Sequence, residues 1–258
     1  QKHFDACQKC RHVIRIAALL SLSAASIGET PESLFRRGVE SFRKEDWQGA
    51  IESWQEVERS GRSSGELYYN LGNAYYRAGG IGKAIIYYER ARELMPRDRE
   101  VRQNLELARM ATVDRIERPV RLIVWNWVDK VRDSVSLFEL SRVVFVTGIL
   151  AAAAVAFWLF GPLSLRRRLR LASVGVILVY ILVLGWYAWR SMLDSNVRAV
   201  VLEAKVDVFS APDSAATQVF TLHEGTEASE RDAIAGWSHV VLPDGRAGWL
   251  PSQTVERI

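Results

Sequence analysis

The chain has 258 residues, 49% hydrophobic and 25% charged, with a formal net charge of +4. That length holds one large or two small domains. Four positive charges sit together at Arg166, Arg167, Arg168 and Arg170, so the rest is near neutral, which excludes the basic footprint of a nucleic-acid binder. The two cysteines, Cys7 and Cys10, both precede residue 13, and the later segments must be held by packing alone. Residues 1–28 read as a signal-like leader. Lys9, Arg11 and Arg15 lead into a short apolar stretch over 16–25, and Ser23-Ala24-Ala25 offers small residues for cleavage. His3, Cys7, Cys10 and His12 are zinc-ligand types, but cleavage would remove them, so no metal is assigned.

Residues 31–98 contain a repeat of period 34. Gly38 pairs with Gly72, Phe42 with Tyr76, Arg43 with Arg77, Ala50 with Ala84 and Trp54 with Tyr88. Small residues fall where two helices would approach closely, and aromatics fall where they would fill the gap. Together with Tyr68, Leu71-Gly72, Tyr75, Ala91 and Pro96, this pattern resembles the tetratricopeptide repeat. The first copy is weaker, with Arg37, Val57 and Arg62 at positions where the pattern has Leu, Ala and Pro. Val101, Leu105 and Ala108 then recur at helical spacing without a glycine, which reads as a helix capping the stack. The repeat unit with its cap is placed at 31–112. Ala78-Gly79-Gly80-Ile81-Gly82-Lys83-Ala84 has the look of a phosphate loop. It lacks the first glycine at the required spacing and the Ser or Thr that would hold magnesium, so it reads as the turn between two helices.

Arg118-Pro119 breaks the helical pattern. Over 119–136, Val120, Val124, Trp127, Val131 and Val135 recur every three or four residues, opposite Arg121, Asp129, Lys130, Arg132 and Asp133. That is the pattern of an amphipathic helix lying in a membrane interface or packing back on the repeats. Residues 143–163 and 171–189 are free of charge. Each is long enough to cross about 30 Å of hydrocarbon as a helix. The Arg-rich stretch 164–170 reads as the loop between them. Short arginine-rich loops stay cytoplasmic, so Arg166, Arg167, Arg168 and Arg170 would place both flanking units on the other side.

From 197 to 258 the texture becomes short alternating strands separated by Pro-, Asp- and Gly-containing turns. Gly236-Trp237 followed by Gly248-Trp249-Leu250-Pro251 resembles the bacterial SH3-type small barrel. The expected fold is a multidomain membrane protein: all-α tetratricopeptide helical repeats, a two-helix transmembrane hairpin and an all-β SH3-like barrel.

This order of parts resembles the BatE-like family of the Bat aerotolerance gene clusters. The run Tyr68-Tyr69-Asn70-Leu71-Gly72-Asn73-Ala74-Tyr75-Tyr76, Asn104-Leu105 and the closing Gly-Trp-Leu-Pro support the likeness. With the Arg-rich loop in the cytoplasm, the reading is a bacterial inner-membrane protein with both folded units on the periplasmic side. The resemblance implies partners among von Willebrand A-type and other Bat-family membrane proteins, often linked to a MoxR-type ATPase.

The first helix of each repeat would line a concave face carrying Phe35, Phe42, Arg43, Tyr69, Asn70, Asn73, Tyr76 and Arg77. Aromatic, Arg and Asn side chains suit capture of a peptide or helix. A clamp for a terminal carboxylate would also need a lysine and an asparagine in the first repeat, where Phe35 and Val39 stand. In the barrel, Phe209, Trp237, Trp249 and Pro251 are the candidate surface for a protein or a cell-wall peptide. His223 and His239 read as solvated edge residues, with no nucleophile in a recognisable arrangement. No HExxH signature occurs. The reading is a non-enzymatic, cofactor-free adaptor that assembles envelope complexes. Its rival is a cell-wall binder or envelope-stress sensor acting through the barrel, although the short Arg-rich stretch leaves no room for a cytoplasmic output domain.

Overall fold

A computed structural model describes residues 30–116, 128, 134–194 and 197–258. The leader at 1–28, its Cys and His residues, and nearly all of the amphipathic stretch at 119–136 lie outside the described residues.

Five short helices open the fold: α1 (Pro31–Arg43), α2 (Trp47–Arg59), α3 (Gly65–Ala78), α4 (Ile81–Leu94) and α5 (Arg99–Met110). Four of the five starts have a local cause. Thr30, Asp46, Ser64 and Asp98 accept hydrogen bonds from free backbone N–H groups in the first turns of α1, α2, α3 and α5. Gly79, at φ 87°, ends α3 in the left-handed conformation. The helices pair in chain order, and the period of 34 has a steric cause. A Cβ on Gly38 would lie 2.4 Å from the Trp54 indole nitrogen, and one on Gly72 would lie 2.6 Å from the Tyr88 ring. Leu34, Ile51, Trp54, Leu67, Leu71 and Tyr87 form the core of the first two helix pairs.

Two long helices follow, α6 (Leu137–Phe160) and α7 (Leu163–Asp194). Their most apolar windows have mean hydropathies of 2.5 and 2.2, and both helices are long and apolar enough to cross a membrane. They pack antiparallel, with the Tyr180 ring against Gly148. The turn between them is Gly161-Pro162. The Arg-rich stretch 164–170, expected as a loop, is the start of α7. Arginine is a good helix former, and nothing after Pro162 interrupts the helix. Arg170 reaches back so that its guanidinium lies 6.0 Å from the Trp158 ring centroid.

The chain ends in β1 (Val197–Val201), β2 (Lys205–Phe209), β3 (Gln218–His223), β4 (Glu227–Ile234), β5 (Trp237–Val241), β6 (Ala247–Pro251) and β7 (Val255–Arg257). They form one antiparallel sheet in the order β3-β2-β6-β5-β4-β1-β7. The expected barrel is not closed: β3 and β7 are the edges and do not pair with each other. Val201, Val206, Val208, Leu222, Val240, Leu242 and Leu250 form the core on one face.

The sheet does not stand apart from the repeats. Val200, Leu202 and Ile258 pack into a core with Ile85, Tyr88, Leu105 and Ala108. Leu105 and Ala108 stand one repeat length after Leu71 and Ala74. The cover that a following helix would give them comes instead from the sheet.

Candidate functional site

Helices α1, α3 and α5 begin at residues 31, 65 and 99, each 34 apart, so α5 continues the register of the first-helix face. Three rungs cross that face. Phe35 leads to Tyr69 and Gln103, Val39 to Asn73 and Leu107, and Phe42 to Tyr76 and Met110. The rungs end differently from how they begin. Phe42 is half-buried, its ring centroid 4.8 Å from that of Trp47 and 5.9 Å from that of Trp54. Tyr76, Leu107 and Met110 are 36%, 49% and 68% exposed.

The eight residues expected on this face divide by role. Phe35 and Phe42 are packing residues: Phe35 lies against Trp54, whose indole N–H donates to the Phe35 carbonyl oxygen at 3.1 Å. Asn104 Nδ2 donates to Asn73 Oδ1 at 2.9 Å and to the Tyr69 hydroxyl at 3.1 Å. Tyr88 donates to Asn73 Oδ1 at 2.8 Å, and the Tyr69 hydroxyl donates to Glu100 at 3.2 Å. Burial raises the Tyr69 and Tyr88 hydroxyls above their ordinary range, which keeps them as neutral donors. Tyr69 and Asn73 therefore brace α3 against α5. Asn70 is half-buried beside them, while Arg43, Tyr76 and Arg77 face outward. The Arg77 guanidinium lies 5.6 Å from the Trp47 ring centroid. The two hydrogen bonds that Asn73 Oδ1 accepts hold its amide in a fixed orientation between α3, α4 and α5. Leu107 and Met110 were missed in the sequence; the 34-residue step from Asn73 and Tyr76 is the signal that finds them.

On the sheet, the four expected residues share one face. Phe209 is paired across strands with Trp249, Trp249 with His239, and Trp237 with Pro251. The Phe209 and Trp237 ring centroids lie 5.7 Å apart edge to face, and those of His239 and Trp249 lie 4.9 Å apart. All five are half-buried, forming an aromatic strip open to solvent. His239 belongs to the strip and is not a solitary edge residue.

A set of charged groups fixes the two surfaces relative to each other. Glu89 on α4 is fully buried and accepts from Arg92 at 2.6 Å, Arg109 at 2.6 Å and Arg198 at 2.8 Å. Arg109 also meets Glu227 at 2.6 Å, and Arg198 meets Glu93 at 3.0 Å. Burial works against the charge on Arg109, but hydrogen bonding to Glu227 and the field of Glu89 raise its pKa above the ordinary value. Glu256 takes Lys83 and, at 3.2 Å, Arg90. Glu224 accepts from the Gly82 amide at 2.9 Å. That contact serves the N-terminus of α4, which has no side-chain cap of its own. Asp114 accepts from the His223 amide and the Thr226 hydroxyl, both at 2.7 Å, and contacts His223 Nδ1 at 2.9 Å. Burial tends to raise the Asp114 carboxyl, but these bonds outweigh it and hold the pKa below the ordinary value. Among the described residues no cluster of three or more His, Cys, Asp and Glu is arranged to hold a metal.

No curated protein matches the chain. Residues 65–98, which span α3, α4 and the turn after them, match the model of the family described as tetratricopeptide repeat, a module that typically binds proteins without catalysis.

Proposed function

We propose that the protein is a membrane-anchored adaptor whose repeat face holds a protein partner beside the bilayer. The observation that carries this is the outward set Tyr76, Leu107 and Met110, exposed on adjacent helices of a repeat whose opposite side is sealed by the sheet. Aromatic and methionine side chains adapt to a partner helix or extended segment with little loss of order. The hairpin α6–α7 would anchor the unit and raise its local concentration near membrane partners. The arginines at 166–168 and 170 argue for an inward-facing turn, with the repeats and sheet outside the cytoplasm. The resemblance to the BatE-like family makes von Willebrand A-type and other Bat-family membrane proteins the first partners to test. Tyr76→Ala, Leu107→Ala and Met110→Ala together should abolish co-purification of the partner after crosslinking in cells, while the melting temperature stays close to that of the parent. Undiminished recovery would move the binding site elsewhere.

A second reading rests on the strip of Phe209, Trp237, His239, Trp249 and Pro251. In an SH3-like domain such a face would take an extended peptide, including a cell-wall peptide. Sedimentation of the protein with purified cell wall, lost on Trp249→Ala, would support that reading.

A further inference from the structure

The chain's path fixes which end of the fused repeat–sheet unit faces the hairpin. Val197 starts β1 three residues after Asp194, the last residue of α7, a distance of at most about 10 Å. Helix α4 runs antiparallel to β1, because Gly82 approaches Val201 while Glu93 meets Arg198. The far end of α4 leads to Arg97, which bonds Glu139 in the first turn of α6 at 3.2 and 3.4 Å. The start of β1, the end of α4, the start of α6 and the end of α7 thus lie at one end of the molecule.

Strand β4 overshoots that end. Glu230 is opposite Val197, the first residue of β1, and β4 continues to Ile234, about 13 Å further at the usual strand rise. Its direction is opposite to that of β1, back toward the end of α7. The tip that it forms with β5 is Ile234-Ala235-Gly236-Trp237, with Ala235 at φ 50° and Gly236 at φ 85°. A two-residue turn with both φ positive is normally made by Asn-Gly or Asp-Gly. Here Ala takes the first position, so the tip has no polar side chain, although Ile234 is 48% exposed. Around the same end, Leu94 and Val197 are also exposed, and the Arg142 guanidinium stacks 4.2 Å from the Phe138 ring centroid.

We propose that the β4–β5 tip, Ile234 to Trp237, seats in the membrane interface beside the hairpin and fixes the angle of the repeat–sheet unit to the bilayer. The proposal rests on the reading of α6 and α7 as spans. The occupant is the lipid surface, because the tip continues from the membrane end of α7. An apolar turn carrying an indole suits the headgroup boundary, and Arg142 suits anionic headgroups.

The test uses the full chain with Cys7→Ser and Cys10→Ser, reconstituted in nanodiscs containing anionic lipid. Single spin labels are placed through Ile234→Cys, Ala247→Cys at the opposite end of the sheet, and Leu182→Cys in the middle of α7. Accessibility to oxygen is compared with accessibility to a water-soluble nickel chelate. The oxygen-to-nickel ratio at 234 should exceed that at 247 several-fold and fall below that at 182. Equal ratios at 234 and 247 overturn the proposal. Exclusion of both reagents at 234 also overturns it, because a protein surface would then cover the tip. A ratio at 182 no higher than at 247 removes the hairpin as a membrane anchor, and the proposal falls with it.

Discussion

Gly82 and Val201 touch across 119 positions of sequence: a Cβ on Gly82 would lie 2.7 Å from the Val201 carbonyl oxygen. Here the glycine-rich turn that has the look of a phosphate loop has a different use. Gly79 and Gly80 turn the chain, Gly82 lets β1 approach α4, and Lys83 pairs with Glu256. Glycine is required at 82 by the approach of another backbone.

A side chain at this position should undock the sheet. Gly82→Val is expected to weaken the docked state by about 1–3 kcal/mol, the usual cost of overpacking. Hydrogen exchange would show faster exchange in the first turns of α4 and in β1, with α1 and α2 unchanged. Gly80→Ala is the control, since its Cβ would meet the Tyr75 ring at an ordinary 3.4 Å. Equal protection in both variants would contradict the close contact.

Glu89 should be the costliest charge to remove. It is fully buried and satisfies three guanidiniums. Glu89→Gln leaves those cations undercompensated and is expected to cost about 3–5 kcal/mol, read by urea unfolding. Glu40 pairs with Lys44 at 2.7 Å on an open surface, and Glu40→Gln should produce no measurable shift. A loss at Glu89 as small as that at Glu40 would mean that the buried network does not hold the unit together.

Acid should loosen the docking at Asp114. Its folded pKa lies below its ordinary value of 3.8. The stabilisation is therefore fully present above the unfolded value, and is lost as pH falls through the folded one. Parent and Asp114→Asn should differ in melting temperature at pH 6, and the difference should shrink below about pH 4. A difference independent of pH would mean that the carboxylate charge at 114 does not matter.

Gly72 and Tyr88 should behave as a complementary pair. Gly72→Ala drives a methyl group into the Tyr88 ring and is expected to lower stability by about 1–3 kcal/mol. Adding Tyr88→Leu should recover part of that loss, although Tyr88 also donates to Asn73. Strictly additive losses in the double variant would contradict the steric account of the repeat period.

What the sequence reveals here follows from range. The 34-residue period is legible because each Gly–aromatic pair lies within one helix pair. The contacts of Gly82 with Glu224, Lys83 with Glu256 and Arg198 with Glu89 join residues more than 100 positions apart. Each of those charged residues reads locally as a solvated helix or strand position. Asn73 and Tyr69 are suited to ligand binding by type, and only their contacts with Asn104 show that they brace helices. Leu107 and Met110 are hidden because α5 lacks the repeat glycine and reads as a plain cap. The Arg-rich stretch looks like a loop because it is charged between two apolar runs, whereas helical propensity favours its place in α7. The strand pattern gives the sheet but not its closure, which depends on whether β3 and β7 meet.

The central claim is that the outward residues of α3 and α5 hold a partner at the membrane. Site-specific photocrosslinking in intact cells tests it most directly. A photoreactive residue is placed at Tyr76, at Met110 and, as a control, at exposed Glu52 on the outer helix α2. The expected result is one shared adduct, identified as the same protein, from positions 76 and 110 and absent from 52. Adducts that are absent at 76 and 110, or equal at all three positions, would contradict the account.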